Sequence, residues 1–158
     1  MKKVFLLGGL FLLALVACSK KNDTPPYDWG VQYNIDSAKI VAYIAANNIP
    51  NVQHEPGGIF YQVITPGTAD KPNAAAYVTV DYVGTLLNKT TFESNQNIKF
   101  GLNEVIQGWT VGVPKVGKGG EVNLFLPSGY AYGPGGNGAI QPNTVLIFNI
   151  KLKDFTNR

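Results

Sequence analysis

Tyr77-Val78-Thr79-Val80-Asp81-Tyr82-Val83-Gly84 alternates with period two, so that Val78, Val80 and Tyr82 share one face. Side chains along a strand point to opposite faces in turn, so this stretch reads as a strand with one side in a core. The same alternation appears on both sides of it. From Gly57 onward, Ile59, Tyr61 and Val63 alternate with Phe60, Gln62 and Ile64, up to Pro66-Gly67 and a polar link. After Gly84, a hairpin-like turn at Asn88-Lys89 leads into Thr91-Phe92-Glu93, and Ile98 to Leu102 forms another short extended piece. Glu121 to Leu126 places Val122, Leu124 and Leu126 on one side. Val145 to Leu152 does the same with Leu146, Phe148, Ile150 and Leu152. Strands separated by Gly and Pro turns, such as Gly117-Lys118-Gly119-Gly120, predict an antiparallel sheet.

Two segments have helical spacing instead. Asn103 is a good N-cap residue and Glu104 suits the positive end of a helix dipole. Val105, Ile106, Trp109 and Val113 follow at helical intervals, and Gly112 and Pro114 stop the run. Nearer the start, Asp36 to Asn48 reads as a second helix, capped by Asp36 or Ser37. Its stripe is Ile40, Tyr43, Ile44 and Asn47, and Asn47-Asn48 and Pro50 end it. The sum is an α+β domain: a bent antiparallel β-sheet wrapped around one short α-helix, with one extra N-terminal helix that packs on the domain or serves a partner.

The first residues read as a processing signal. Lys2 and Lys3 precede Val4 to Val16, an uncharged and mostly apolar run well short of the ~20 residues a spanning helix needs. It ends in Leu15-Val16-Ala17-Cys18, which resembles a bacterial lipobox. That resemblance implies that Cys18 carries a lipid anchor and begins the mature chain. Cys18 is the only cysteine, so no disulfide forms within the chain. Ser19, where Asp would imply inner-membrane retention, favours the outer membrane. Residues 18–34, including Lys20-Lys21-Asn22-Asp23-Thr24-Pro25-Pro26, lack apolar periodicity and read as a flexible tether. The division expected is a signal over 1–17, a tether over 18–34, a helical extension over 35–56 and a folded domain over 57–158. The whole chain has a formal charge of +3, and removing 1–17 takes away two lysines. The near balance that remains gives no reason to expect nucleic acid.

Five pieces recur in a recognisable order. They are Val80-Asp81-Tyr82-Val83-Gly84, Thr91-Phe92-Glu93-Ser94, Glu104-Val105-Ile106-Gln107-Gly108-Trp109, Ala131-Tyr132-Gly133, and Ile140-Gln141-Pro142-Asn143 leading to Leu146-Ile147-Phe148. Together they make residues 57–155 resemble the FKBP-type peptidyl-prolyl cis-trans isomerases. The resemblance implies a pocket with Trp109 as floor and Tyr82, Phe92, Val105, Ile106 and Phe148 as walls. It also implies substrate hydrogen bonds from the Ile106 N–H and the Tyr132 hydroxyl, and a rim closed by Ile140. Three positions depart from the family's commonest pattern: Glu93, Ile98 and the rim loop 133–138. Glu93 stands where many members have Asp, which would displace its hydrogen bonds. Ile98 stands where an aromatic wall residue often sits, which would leave the pocket wider or flatter on that side. Residues 133–138 form a glycine-rich rim loop.

The chemistry implied needs no cofactor, metal, nucleophile or acid–base pair, and the sequence offers one histidine and no clustered ligands. Proline-containing unfolded or nascent envelope proteins are the substrates implied, with the enzyme a lipid-anchored monomer. The alternative is a non-catalytic peptide-binding or chaperone module on the same fold. Other signals read as local structure. The loop 133–138 lacks the Lys-Ser/Thr and following helix of a phosphate loop. His54 reads as a solvated surface residue. Asn88-Lys89-Thr90 reads as an unmodified turn, and Asp36-Ser37-Ala38 as a cap rather than a glycan acceptor.

Overall fold

A computed structural model describes residues 26–158; the expected signal and the expected lipidation site, Cys18, lie outside the described residues. Six strands form one antiparallel sheet: β1 Gln53–His54, β2 Phe60–Thr65, β3 Tyr77–Leu86, β4 Thr91–Gly101, β5 Glu121–Leu126 and β6 Leu146–Thr156. Their spatial order is β1-β2-β5-β6-β3-β4, so the last strand in the chain lies between β5 and β3. The alternation read from the sequence places the faces correctly. Val78, Val80, Tyr82, Val122, Leu124, Leu126, Leu146, Phe148, Ile150 and Leu152 all join one buried cluster on the inner face. Helix α2, Gln107–Gly112, closes that cluster with Trp109.

The two helices begin elsewhere than expected. Helix α1 runs Trp29–Ala46, with the Asp28 carboxylate capping Val31 N–H at 3.0 Å. Residues 29–34, expected in the tether, are therefore helical. Asp36 is no cap but a fully buried residue in mid-helix. The predicted stripe holds: Ile40 is buried against Phe60, Phe125, Val145 and Ile147, with Tyr43 and Ile44 packed beside it. This second, smaller cluster lies on the outer face of the sheet. α2 starts four residues after the expected Asn103 cap. The Glu104 N–H is committed to Gly101 O at 2.9 Å, which makes residues 101–104 a turn and moves the N-cap to Ile106. The pieces Thr91–Glu93 and Ile98–Leu102 belong to one irregular strand, β4. Its register against β3 shifts between the pairs Val80↔Ile98 and Tyr82↔Asn95, a bulge of one extra residue on β4. The turn at Asn88-Lys89 is present, with Lys89 at φ 69° and Asn88 Oδ1 accepting from Thr90 N–H.

Among the described residues no helix is long and apolar enough to cross a membrane, and no cluster of three His, Cys, Asp or Glu side chains forms a metal-binding group.

Candidate active site

The site begins with how closely α2 approaches β5. Gly108 faces Leu126, and a methyl group there would come within 2.4 Å of the leucine side chain. That contact distance lets the helix lie down on the sheet and puts Trp109 at its centre. The Trp109 ring is only 4% exposed. Three rings meet it edge-on: Tyr82 with centroids 4.9 Å apart, Phe148 at 5.4 Å and Phe100 at 5.7 Å. Such T-shaped contacts set a positive ring edge against a negative ring face and hold geometry beyond simple area burial.

These rings bound a cavity of about 450 Å³, lined also by Glu93, Glu104, Val105, Ile106 and Tyr132. Seven of the residues singled out in the sequence thus come together: Tyr82, Glu93, Val105, Ile106, Trp109, Tyr132 and Phe148. Three do not line the cavity. Phe92 sits behind it, edge-on to Phe148 at 5.6 Å, where the missing side chain of Gly84 makes room for both rings. Ile140 is buried in the inner core. Ile98 packs against that core, and Phe100, two residues on and on the same face, supplies the aromatic wall. Phe100 was within reach of sequence reading, since the period-two pattern through Ile98 also selects residue 100. Glu104 was read only as a helix-end residue; it lines the mouth because the chain turns there.

The polar groups of the site are few. Asn95 Nδ2 donates to the Tyr82 hydroxyl at 2.9 Å. Burial pushes that hydroxyl up to about 12, against the opposing pull of the Asn95 bond and with the Glu93 carboxylate adding to the rise. Glu93 is exposed and lines the cavity together with Tyr82 and Tyr132. The Trp109 indole N–H is buried without a partner. Among the described residues, neither the Ile106 N–H nor the Tyr132 hydroxyl makes a hydrogen bond.

Tyr132 rides on the loop after β5, and α1 holds that loop from behind. Asp36 Oδ2 accepts from the Ser128 N–H at 2.8 Å and from its hydroxyl at 2.6 Å, all three groups buried. The Trp29 ring lies against Gly129 and Gly133. Asn143 N–H closes the loop by donating to Gly133 O at 2.8 Å.

An antiparallel sheet closed by a short helix, with an indole at the base of an aromatic pocket, defines a peptidyl-prolyl isomerase class of fold. Residues 68–153 match the family described as FKBP-type peptidyl-prolyl cis-trans isomerase, and the chain belongs to that family. Among its relatives is the FKBP-type peptidyl-prolyl cis-trans isomerase FkpA of Aeromonas hydrophila, 43% identical over 115 residues, which cover 70% of this chain and 43% of that one. The outer membrane protein MIP of Legionella longbeachae is 37% identical over 123 residues, covering 74% of this chain and 53% of its own. The chain thus spans about half the length of these two relatives. A crystal structure of a peptidyl-prolyl cis-trans isomerase from Pseudomonas syringae pv. tomato superposes with a TM-score of 0.70 at 32% identity, over 84% of this chain and 98% of that one.

Proposed function

We propose that this chain is an active prolyl isomerase that works by binding the twisted amide in the Trp109 pocket. The observation that carries the reading is the pairing of an apolar aromatic cavity with two unpartnered donors, the Ile106 N–H and the Tyr132 hydroxyl. Resonance holds a peptide bond planar, with a barrier of ~18–20 kcal/mol, and an uncatalysed prolyl bond turns over in ~10–100 s. Halfway through rotation the resonance is lost and the carbonyl is less polar. A dry aromatic pocket suits that state better than water does, and favouring it over the planar ground state is what lowers the barrier. The proline ring rests on Trp109, between Tyr82, Phe100 and Phe148. Val105 and Ile106 fill the helix side. The Ile106 N–H and the Tyr132 hydroxyl donate to substrate carbonyls, and Phe92 supports Phe148 from behind.

The test is a cis-to-trans assay on Xaa-Pro peptides. Acceleration by the intact chain is expected. Tyr132→Phe is expected to reduce kcat/KM about tenfold, the value of one hydrogen bond of ~1.4 kcal/mol, with the folded state unchanged. A well-folded chain that accelerates nothing would turn the reading towards the non-catalytic chaperone module.

The location is proposed from two supports. The Leu15-Val16-Ala17-Cys18 quartet supports lipidation of Cys18. The relative named as an outer membrane protein supports the cell envelope. On this reading the enzyme is an outer-membrane-anchored monomer serving proline-containing envelope proteins. Mass spectrometry of the N-terminal peptide, with Cys18→Ser as control, should find the acyl groups on Cys18.

A further inference from the structure

A second cavity, of about 390 Å³, opens between the start of α1 and the loop after β5. Its walls are the rings of Trp29, Tyr33 and Tyr130, with Pro127 and Gly129 between them and Gln107 at one end. The tyrosine hydroxyls are already used. Tyr33 bonds His54 Nε2 at 2.8 Å, and Tyr130 donates to Gly57 O at 2.9 Å. Both residues therefore offer the cavity ring surface rather than polar groups. Trp29, although 58% exposed, is held in place by an edge-on contact with Tyr27 at 4.7 Å and by its seat on Gly129 and Gly133. The Gln107 side-chain amide makes no hydrogen bond among the described residues. An aromatic trough with one free amide is the chemistry that grips an extended peptide. No lysine or arginine lines it, so it offers nothing to a phosphate or a lipid headgroup.

Its position says which peptide. Gln107 directly follows Ile106, which lines the Trp109 pocket, and Tyr130 lies two residues before Tyr132, which also lines it. The two cavities thus flank the same two short segments of backbone. We propose that the second cavity is a subsite for the polypeptide whose proline sits on Trp109, and that it takes a large apolar or aromatic side chain a few residues away from that proline. The proposal deepens the isomerase reading and rests on it. It makes the preferred substrate an extended, unfolded chain rather than a lone prolyl turn. Two linked contacts raise affinity by effective concentration, without any change at the reacting bond.

The chain has two tryptophans, and one stands in each cavity. Their indole N–H signals in a nitrogen-15 spectrum of the full chain report the two sites separately. A prolyl tetrapeptide should move the Trp109 signal alone. A peptide of about twelve residues, spanning at most ~40 Å when extended and carrying phenylalanines on both flanks, should move both signals. Trp29→Ala should reduce the preference for the long peptide over the tetrapeptide about tenfold, the scale of one aromatic contact. If the long peptide moves only Trp109, the subsite is refuted and the isomerase reading stands. If neither peptide moves Trp109, the isomerase reading fails and takes the subsite with it. The subsite is likewise refuted if the tetrapeptide moves both signals, which would mean relay through the Tyr132 loop. A Trp29 signal that shifts with protein concentration alone would assign the trough to a second copy instead.

Discussion

On the inner face of the sheet, Tyr82, Phe100 and Phe148 each meet Trp109 edge to face around a cavity, and the indole N–H of Trp109 has no acceptor. On the outer face most buried polar groups are tied to one another, the Ser37 hydroxyl of α1 being the exception. Asp36 holds both donors of Ser128, and Asn123 links Gln62 to Asn149 across three adjacent strands at 2.9 and 2.8 Å. Buried polar groups are normally paired, and those left unpaired cost stability. The outer face uses its hydrogen bonds to fix position. The inner face leaves the Trp109 indole, the Ile106 N–H and the Tyr132 hydroxyl open, and on the proposed reading the last two meet substrate carbonyls.

Four substitutions separate the two faces. The largest effect is expected from Trp109→Ala, which removes the indole from the inner core. It should cost about 3–5 kcal/mol in denaturant unfolding and abolish prolyl isomerisation together. Asp36→Ala should cost about 2–3 kcal/mol, because the Ser128 N–H and hydroxyl lose their buried acceptor. Hydrogen exchange should then quicken in α1 and around Ser128 while the central strands stay protected. Equal quickening everywhere would show that the outer face is not a separable clamp.

Gly84→Ala should cost about 1–2 kcal/mol by overpacking, since the new methyl would lie 2.6 Å from Phe92 and 3.0 Å from Phe148. Its isomerase activity should fall more than its stability, because Phe148 lines the pocket; unchanged activity would show that the ring position is tolerant.

The smallest effect is a pH dependence. The Tyr82 hydroxyl ionises at about 12 in the folded chain against 10.0 ordinarily, mainly through burial. The unfolded chain therefore loses this proton first. The stabilisation is complete below pH 10 and is lost as pH rises towards 12. Tyr82→Phe should flatten that part of the stability curve, measured by unfolding across the alkaline range.

What could be read in advance follows the range of the forces involved. Period-two alternation is local, and it placed Val78, Val80, Tyr82, Leu124 and Phe148 on the right face. The stripe of Ile40, Tyr43 and Ile44 is local too. Asp36 misled because a carboxylate before an apolar run is a good cap, and its real partner, Ser128, lies 92 residues away. Asn103 misled for a similar reason: its neighbour Glu104 spends its N–H on a turn to Gly101. The floor and most of the walls of the pocket were legible from the motif resemblance. Phe100 was legible too, since the bulge in β4 lies before Ile98 and the period-two pattern runs unbroken from Ile98 to residue 100. Nothing local marks the trough beside Trp29, since its walls come from α1, the loop before β2 and the loop after β5.

The place of β6 has a consequence for how the protein is made. It is the last of the six strands in the chain, yet it joins β5 to β3 and carries Phe148. While only the first five strands have emerged, β1-β2-β5 and β3-β4 are two separate ribbons with no shared ladder, and the pocket lacks a wall. Assembly must wait for the final stretch and for pairings between distant parts of the chain, which makes it slow. The nascent chain therefore holds two unjoined ribbons for most of its length, and the pocket is completed only with its last stretch.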